Sequence, residues 1–213
     1  MGLRSTVHPI CIHCGHRQAV DTFLSVNTAE NPELKEKVRD GSLFVWECAA
    51  CGRTQLLRRD FLYHDPERRL MIWLLGEGAV DESRLDATAR ELPEYTLRRV
   101  SDAGSLVEKV LIFDAGLEDT VMELCKWVSR QELAETMGER RDRVLAAPFK
   151  FFRMEGADND LVLSFPLDGQ MFSARVGFNV YEDCRGILQR NASLLDGLSG
   201  FARVDANWAE SLF

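Results

Sequence analysis

Two short cysteine motifs decide the fold of this chain: Cys11-Ile12-His13-Cys14-Gly15 and Cys48-Ala49-Ala50-Cys51-Gly52. In each motif two residues separate the cysteines, so a tight backbone turn points both sulfurs at one ion. The glycine that follows permits a positive φ, which lets backbone N–H groups turn toward the thiolates. The pattern predicts one closed tetrahedral site. Its four predicted metal ligands are Cys11, Cys14, Cys48 and Cys51.

Zinc is the metal that we predict, because four thiolates satisfy its tetrahedral preference. A closed shell of four protein ligands leaves no position for water, so the predicted role is structural rather than catalytic. An iron–sulfur cluster, or two redox-active dithiols without metal, remain as alternatives. The other two of the six cysteines, Cys125 and Cys184, stand among apolar residues and are predicted to be buried core thiols.

The two motifs are separated by 33 residues, more than the roughly 15–20 of compact zinc patterns. Alternating apolar residues predict a strand over 18–26. A helix should begin after Asn31, with Pro32 at its first position, and end at Gly41. A second strand is predicted over 42–47. We therefore expect a zinc-ribbon-like arrangement, in which the cysteine pairs lie at adjacent ends of paired strands.

The rest of the chain combines strands and helices. Strands are predicted over 54–63, 70–75, 95–100, 149–154, 161–167 and 171–178, a helical hairpin over 106–137, and a closing helix over 181–190. This order predicts an α+β protein with a mainly antiparallel β body. We expect a zinc-binding domain over 1–138 and an α+β extension over 139–213, packed on the first domain.

Charge disfavours general nucleic-acid binding. The net charge is −8, with ten basic and nine acidic residues in 1–75 but sixteen basic and twenty-five acidic residues in 76–213. Neutralising phosphates requires a basic face. The second helix of the hairpin is also rich in acidic residues, which disfavours reading of a DNA groove. The longest apolar run, 70–75, is far shorter than the roughly 20 residues of a membrane span, so no membrane is expected.

One further group of residues invites a functional interpretation. If the strands on either side of His64 pair, Arg58, Arg59, Arg68 and Arg69 are expected to approach one another and bind a phosphate or an acidic partner. The alternative is that these arginines are solvated edge residues that discourage aggregation. The chain has no phosphate-binding loop, dinucleotide motif or nucleophile elbow, so we predict no catalytic residues and no enzyme.

Several stretches occur in a characteristic order with the two cysteine motifs: Asn31-Pro32-Glu33-Leu34-Lys35, Leu62-Tyr63-His64-Asp65, Glu108-Lys109-Val110-Leu111-Ile112-Phe113 and Gly116-Leu117-Glu118-Asp119. Over about residues 8–130 this order resembles the CpXC family, an uncharacterised bacterial and archaeal group named for its cysteine motifs. Ile12 and Ala49 stand where the family name expects proline. The resemblance implies zinc binding in a bacterial cytoplasm and no known reaction.

The leading interpretation is a zinc-stabilised module that binds another protein, because a closed metal site occurs here without a catalytic set. The absence of an apolar secretory segment and the cysteine pattern favour the cytoplasm. Three alternatives remain: nucleic-acid binding through the ribbon, an enzyme that uses the arginines around His64, and a redox sensor that loses zinc on oxidation. The sequence does not predict the oligomeric state.

Overall fold

The computed structural model describes residues 3–76 and 81–213, and it has the predicted α+β class with mainly antiparallel sheets. Contacts divide the chain into two compact units. The first takes in the described residues up to Val107 together with Ser199–Ala202, and the second takes in Glu108–Leu198 with Arg203–Phe213. The predicted boundary after residue 138 lies inside the second unit; as a division between independent domains it stays a prediction.

Eight strands form three sheets in the described part of the first unit. They are β1 (Arg4–Val7), β2 (Val20–Phe23), β3 (Ser25–Asn27), β4 (Val45–Glu47), β5 (Thr54–Leu56), β6 (Phe61–Asp65), β7 (Leu70–Leu74) and β8 (Thr96–Val100). Strands β1 and β2 form one antiparallel pair, and β4 and β5 form another. The remaining four have the order β3-β6-β7-β8, with an antiparallel β6–β7 hairpin between two parallel pairings.

Helix α1 (Pro32–Arg39) forms as predicted. Pro32 takes the first turn, where a missing N–H costs no hydrogen bond, and Gly41 follows the helix with a φ of 78°. The helix buries Leu34 and Val38. Helix α2 (Glu82–Glu91) was not predicted, although Asp81 caps it by accepting a hydrogen bond from the Arg84 N–H. The sequence also predicts a loop around Gly76 and Gly78, and the second of these glycines lies outside the described residues.

Helix α3 (Ala103–Asp114) leads from the first unit into the second, where α4 (Asp119–Thr136) completes the two predicted consecutive helices. The second unit also contains α5 (Arg141–Ala146), β9 (Lys150–Glu155), β10 (Asp160–Leu167), β11 (Gln170–Val176), α6 (Phe178–Arg190) and α7 (Ala206–Glu210). Its three strands are antiparallel in the order β11-β10-β9. No helix in residues 3–76 or 81–213 is long and apolar enough to cross a membrane.

The structure divides two stretches that we predicted as single strands. Residues 18–26 become β2, which pairs with β1, and β3, which pairs with β6. Residues 54–63 become β5 and β6, which belong to different sheets. The two strands predicted between the cysteine motifs, 18–26 and 42–47, do not pair with each other as expected; each cysteine motif instead closes its own hairpin. Strand pairing depends on distant partners, which the alternation of apolar residues does not reveal.

Candidate metal centre

Each cysteine motif lies at the tip of an antiparallel hairpin. Val7 pairs with Val20 in the β1–β2 hairpin, and an Ile10–Arg17 bridge continues that pairing toward the first motif. The β4–β5 hairpin carries the second motif in the same way, beyond its last strand pair. The two hairpins are therefore equivalent arms, and each presents one cysteine pair.

The two motifs adopt the same backbone turn. The Cys11 N–H donates to the His16 carbonyl at 2.9 Å, and the Cys48 N–H donates to the Arg53 carbonyl at 3.1 Å. In each turn the glycine N–H also returns to the carbonyl of the first cysteine, at 2.9 and 2.8 Å. Gly15 and Gly52 have φ values of 74° and 67°, which confirms the predicted positive φ after each cysteine pair.

The turns bring the four predicted ligands together. All four sulfur atoms lie within 4.8 Å of one another, with Sγ–Sγ distances of 3.7 Å between Cys11 and Cys51 and 3.6 Å between Cys14 and Cys48. A tetrahedral ion with Zn–S bonds of about 2.3 Å requires sulfur separations of about 3.8 Å. All six cysteines of the chain are free thiols. The group has the spacing and the chemistry to hold a metal ion.

Backbone N–H groups lower the pKa values of the Cys11 and Cys14 thiols and burial raises them, whereas the contacts with neighbouring sulfurs lower the pKa of Cys11 and raise that of Cys14. Burial raises the pKa of Cys11, but the N–H groups of His13 and Cys14 stabilise its thiolate, and the pKa falls to about 6. The His16 N–H lowers the pKa of Cys14, whereas the adjacent sulfurs and burial raise it, to about 12 overall. Four thiolates at this spacing repel one another, so full ionisation requires a compensating cation.

Two glutamines that the sequence analysis missed bind the cysteine turns. The Gln55 amide donates to Cys11 Sγ at 3.0 Å and accepts from the Ile12 N–H at 2.9 Å. Gln18 donates to the Glu47 carbonyl at 3.0 Å and accepts from the Ala49 N–H at 2.7 Å. A signal for both was present, because the pattern C-x-x-C-G-x-x-Q occurs twice in the chain.

A small apolar core supports the centre, and the two cysteine-bearing hairpins also carry exposed apolar side chains. Cys11 and Cys48 are buried together with Trp46 and Leu57. On the opposite face of the β4–β5 hairpin, Val45 pairs with Leu56, and these side chains are 41% and 62% exposed. Ile12, between the first two cysteines, is 84% exposed. The cysteine arms therefore present bare apolar side chains to solvent.

The prediction that four arginines lie close together is wrong. Arg58 and Arg59 precede β6, whereas Arg68 and Arg69 lie in the turn that follows it. The start of β6 pairs with the end of β7, so the two arginine pairs lie at opposite ends of the hairpin, roughly 20 Å apart along the strand. Pairing the strands separates these side chains instead of joining them.

Three of the four arginines make contacts with neighbouring side chains of the chain. The Arg68 and Arg69 guanidinium groups lie near Asp65 and Glu94, at 3.8 and 2.5 Å. Arg59 lies over the Phe61 ring, and burial lowers the pKa of its guanidinium to about 10.

His64 contacts the Tyr95 hydroxyl through Nε2 at 3.3 Å. Burial lowers the pKa of the His64 imidazole, although neighbouring Asp65 acts in the opposite direction. The Asp65 carboxylate accepts from Lys35 at 3.0 Å. The Asp65 carboxylate is thus held by a lysine, and His64 makes its described contact with a tyrosine.

The second unit also contains a buried ionic network that the sequence did not predict. Lys126 lies 2.7 Å from Glu108 and 2.9 Å from Glu123, and Lys109 lies 2.9 Å from Asp119. Burial lowers the pKa of the Lys126 ammonium group, but the two carboxylates outweigh it and raise the pKa. Two acidic residues of the second hairpin helix, Asp119 and Glu123, are thus part of the interior.

Cys125 and Cys184 are buried, as predicted. The Cys184 thiol raises the pKa of Cys125, and the Cys125 thiol lowers that of Cys184. They belong to the core of the second unit and take no part in the four-sulfur group.

Among known protein families, one family model matches this chain. The family model described as CpXC protein matches residues 10–126, more than half of the 213 residues, and this range includes all four cysteines of the candidate centre. No curated protein and no solved structure was found to match.

Proposed function

The chain belongs to the CpXC family, and from this premise we propose that it is a zinc protein whose metal is structural and whose task is to bind another protein. The observation that carries the proposal is the convergence of four thiols from two hairpins within 4.8 Å. Four protein ligands complete a tetrahedral shell, so substrate water has no open coordination position. Such a site joins the two hairpins and stabilises the surface that they present.

Zinc is the metal that the donor set favours. Thiolate ligands select zinc or iron over hard cations such as magnesium. The Sγ–Sγ distances of 3.7 and 3.6 Å suit a single tetrahedral ion. The proposal includes a cytoplasmic setting, since six free cysteines suit a reducing compartment.

Elemental analysis of the purified chain tests the metal. We expect one zinc per chain, lost when Cys14 is changed to serine and retained when Cys125 is changed to serine. Iron in place of zinc, or a metal-free chain that keeps its fold, would contradict the proposal. Repeating the measurement after mild peroxide separates a structural site, which keeps its zinc, from a redox sensor, which releases it.

The proposed partner is a protein because the cysteine arms expose apolar side chains. Ile12, Val45 and Leu56 are exposed on the two hairpins, and the core buried between these hairpins is small. Exposed apolar patches on stable domains mark interaction sites. The net charge of −8 disfavours a phosphate backbone as the partner.

Cross-linking in cells followed by mass spectrometry tests the partner. We expect a recurring partner that is lost when Ile12 and Leu56 are both changed to serine. Phe152→Ser removes an exposed apolar side chain from the second unit and should leave capture unchanged. If the partner is still captured by the chain in which Ile12 and Leu56 are both serine, these side chains do not form a protein-binding site. Loss of the partner on nuclease treatment would lead to the same conclusion.

A further inference from the structure

The C-terminal segment, Arg203–Phe213, is held on helix α4 by two side-chain anchors. The guanidinium Nη2 of Arg130 donates to Glu210 Oε1 at 2.6 Å. The ring of Phe213 stacks on Trp127, with centroids 4.2 Å apart and planes 11° from parallel. Trp127 and Arg130 are three residues apart on α4, and so are Glu210 and Phe213 on the segment. The Glu210 carboxylate thus pairs with the Arg130 guanidinium, and the Phe213 ring pairs with the Trp127 indole.

The segment depends on α4 for its order. Helix α7 has only five residues, and isolated helices of that length are unstable in water. Asp205 caps it by accepting from the Trp208 N–H at 3.1 Å. Ala209 is fully buried, and Trp208 and Leu212 pack against the core of the second unit.

The segment does not pair every polar group of the helix surface that it covers. Arg130 is only 8% exposed, and its Nε has no hydrogen-bond acceptor in the described part of the chain. A cavity of about 20 Å³ remains beneath the segment, and its lining consists of Glu123, Lys126, Trp127, Arg130, Phe149 and Ala206. Phe213 itself stays 74% exposed. A buried arginine donor that lacks an acceptor among the described residues is a group that a better-matched ligand would satisfy.

We propose that Trp127 and Arg130 form a binding site for a protein segment that carries a carboxylate and an aromatic ring three residues apart, and that Glu210 and Phe213 occupy this site in cis. Tryptophan and arginine are the side chains that most often dominate protein–protein affinity. An attached segment competes at a high effective concentration, so the site opens only to a partner that fits better. The inference concerns the second unit and does not depend on the metal centre.

Fluorescence anisotropy on the full-length chain tests the proposal. The probe is a labelled peptide with the sequence of residues 203–213, and the opened chain carries Glu210→Ala and Phe213→Ala. We expect the peptide to bind the opened chain about tenfold more tightly than wild type, because the cis competitor is weakened. In the opened chain, Arg130→Ala and Trp127→Ala should each reduce binding by about tenfold or more.

Two controls separate recognition from damage to the fold. Arg185→Ala removes an arginine on α6 that contacts Glu182 at 3.4 Å, and it should leave peptide binding unchanged. A peptide with alanine at the positions of Glu210 and Phe213 should not bind. Equal affinity for wild type and opened chain, or equal binding of the altered peptide, would overturn the proposal. So would a wild-type dimer that Arg130→Ala makes monomeric, because a second copy would then supply the segment.

Discussion

Gln18 and Gln55 bind the two cysteine turns reciprocally. Each glutamine follows the second cysteine of one motif by four residues, and each accepts a backbone N–H from the other motif, Gln18 from Ala49 and Gln55 from Ile12. Two side-chain amides therefore link the hairpins in addition to the four-sulfur group. Each turn is held by a residue that the opposite arm supplies, and this exchange helps to align the four thiols.

The first prediction concerns Gln55. Changing Gln55 to alanine removes the amide that contacts Cys11 Sγ and leaves the Ile12 N–H without its acceptor. We expect zinc affinity to fall about 10- to 100-fold, as is typical when a hydrogen-bond partner of a metal ligand is lost. Competition with a chromophoric chelator measures the change. Gln189→Ala, at an exposed position on α6, is the control; an equal loss in both variants would rule out this role.

The second prediction concerns metal removal. Trp46 is buried beside Cys11 and Cys48, so separating the hairpins should expose its indole to water. We expect a chelator to shift tryptophan emission to longer wavelength and added zinc to restore it. Trp46→Phe should lack most of that shift, whereas Trp127→Phe, in the other unit, should retain it. An unchanged spectrum after complete metal loss would show that the metal does not hold the hairpins together.

The third prediction concerns the buried ionic network. Lys126→Met leaves the carboxylates of Glu108 and Glu123 without their shared ammonium partner. We expect a loss of about 3 kcal/mol in the free energy of unfolding, because two buried carboxylates lose part of their compensation, although Lys150 and Lys109 remain nearby. Urea denaturation measures it, and adding Glu108→Gln should recover part of the loss. Arg69→Ala, from the exposed pair with Glu94, should cost less than about 1 kcal/mol.

The fourth prediction concerns pH. Burial raises the pKa of the Asp65 carboxyl, but the contacts with Lys35 and the Arg68 N–H outweigh it and lower the pKa below its ordinary value. A carboxyl whose pKa is lower in the folded state stabilises the protein above its unfolded pKa of about 3.9 and loses that effect as pH falls through the folded pKa. Asp65→Asn should therefore cost about 1–3 kcal/mol near neutral pH.

Urea denaturation at several pH values checks the Asp65 prediction. The difference between wild type and Asp65→Asn should begin to shrink below about pH 4, the pKa of the unfolded carboxyl, and should disappear as pH falls through the lower folded pKa. Glu94→Gln, which alters an exposed ion pair, should show little difference at any pH. A constant difference between wild type and Asp65→Asn across this range would mean that the ionised carboxylate is not what stabilises the turn.

The sequence was most informative where short spacing alone restricts the backbone. The two C-x-x-C-G motifs predicted tight turns and positive φ at Gly15 and Gly52, and both occur. Pro32 and Gly41 similarly marked the two ends of α1. These features depend on contacts within a few residues, so no knowledge of distant partners was needed.

The sequence was least informative where one residue type serves in two environments. Asp119 and Glu123 resemble solvated charges of an acidic helix, yet both are buried against Lys109. Arg58 and Arg69 suggested a shared patch, yet strand pairing places them at opposite ends of a hairpin. Charge and spacing along the chain do not reveal which lysine lies opposite a carboxylate.

The sequence by itself determined the four cysteines of the candidate centre, the turn geometry around them, and the α+β class, because each is encoded in local spacing. Only the tertiary structure decided that the two motifs close separate hairpins and that Gln18 and Gln55 each bind the opposite motif. It also decided that Glu210 of the C-terminal segment pairs with Arg130. These contacts join residues 31, 43 and 80 positions apart. Packing selects such pairs, and no local preference of the chain specifies them.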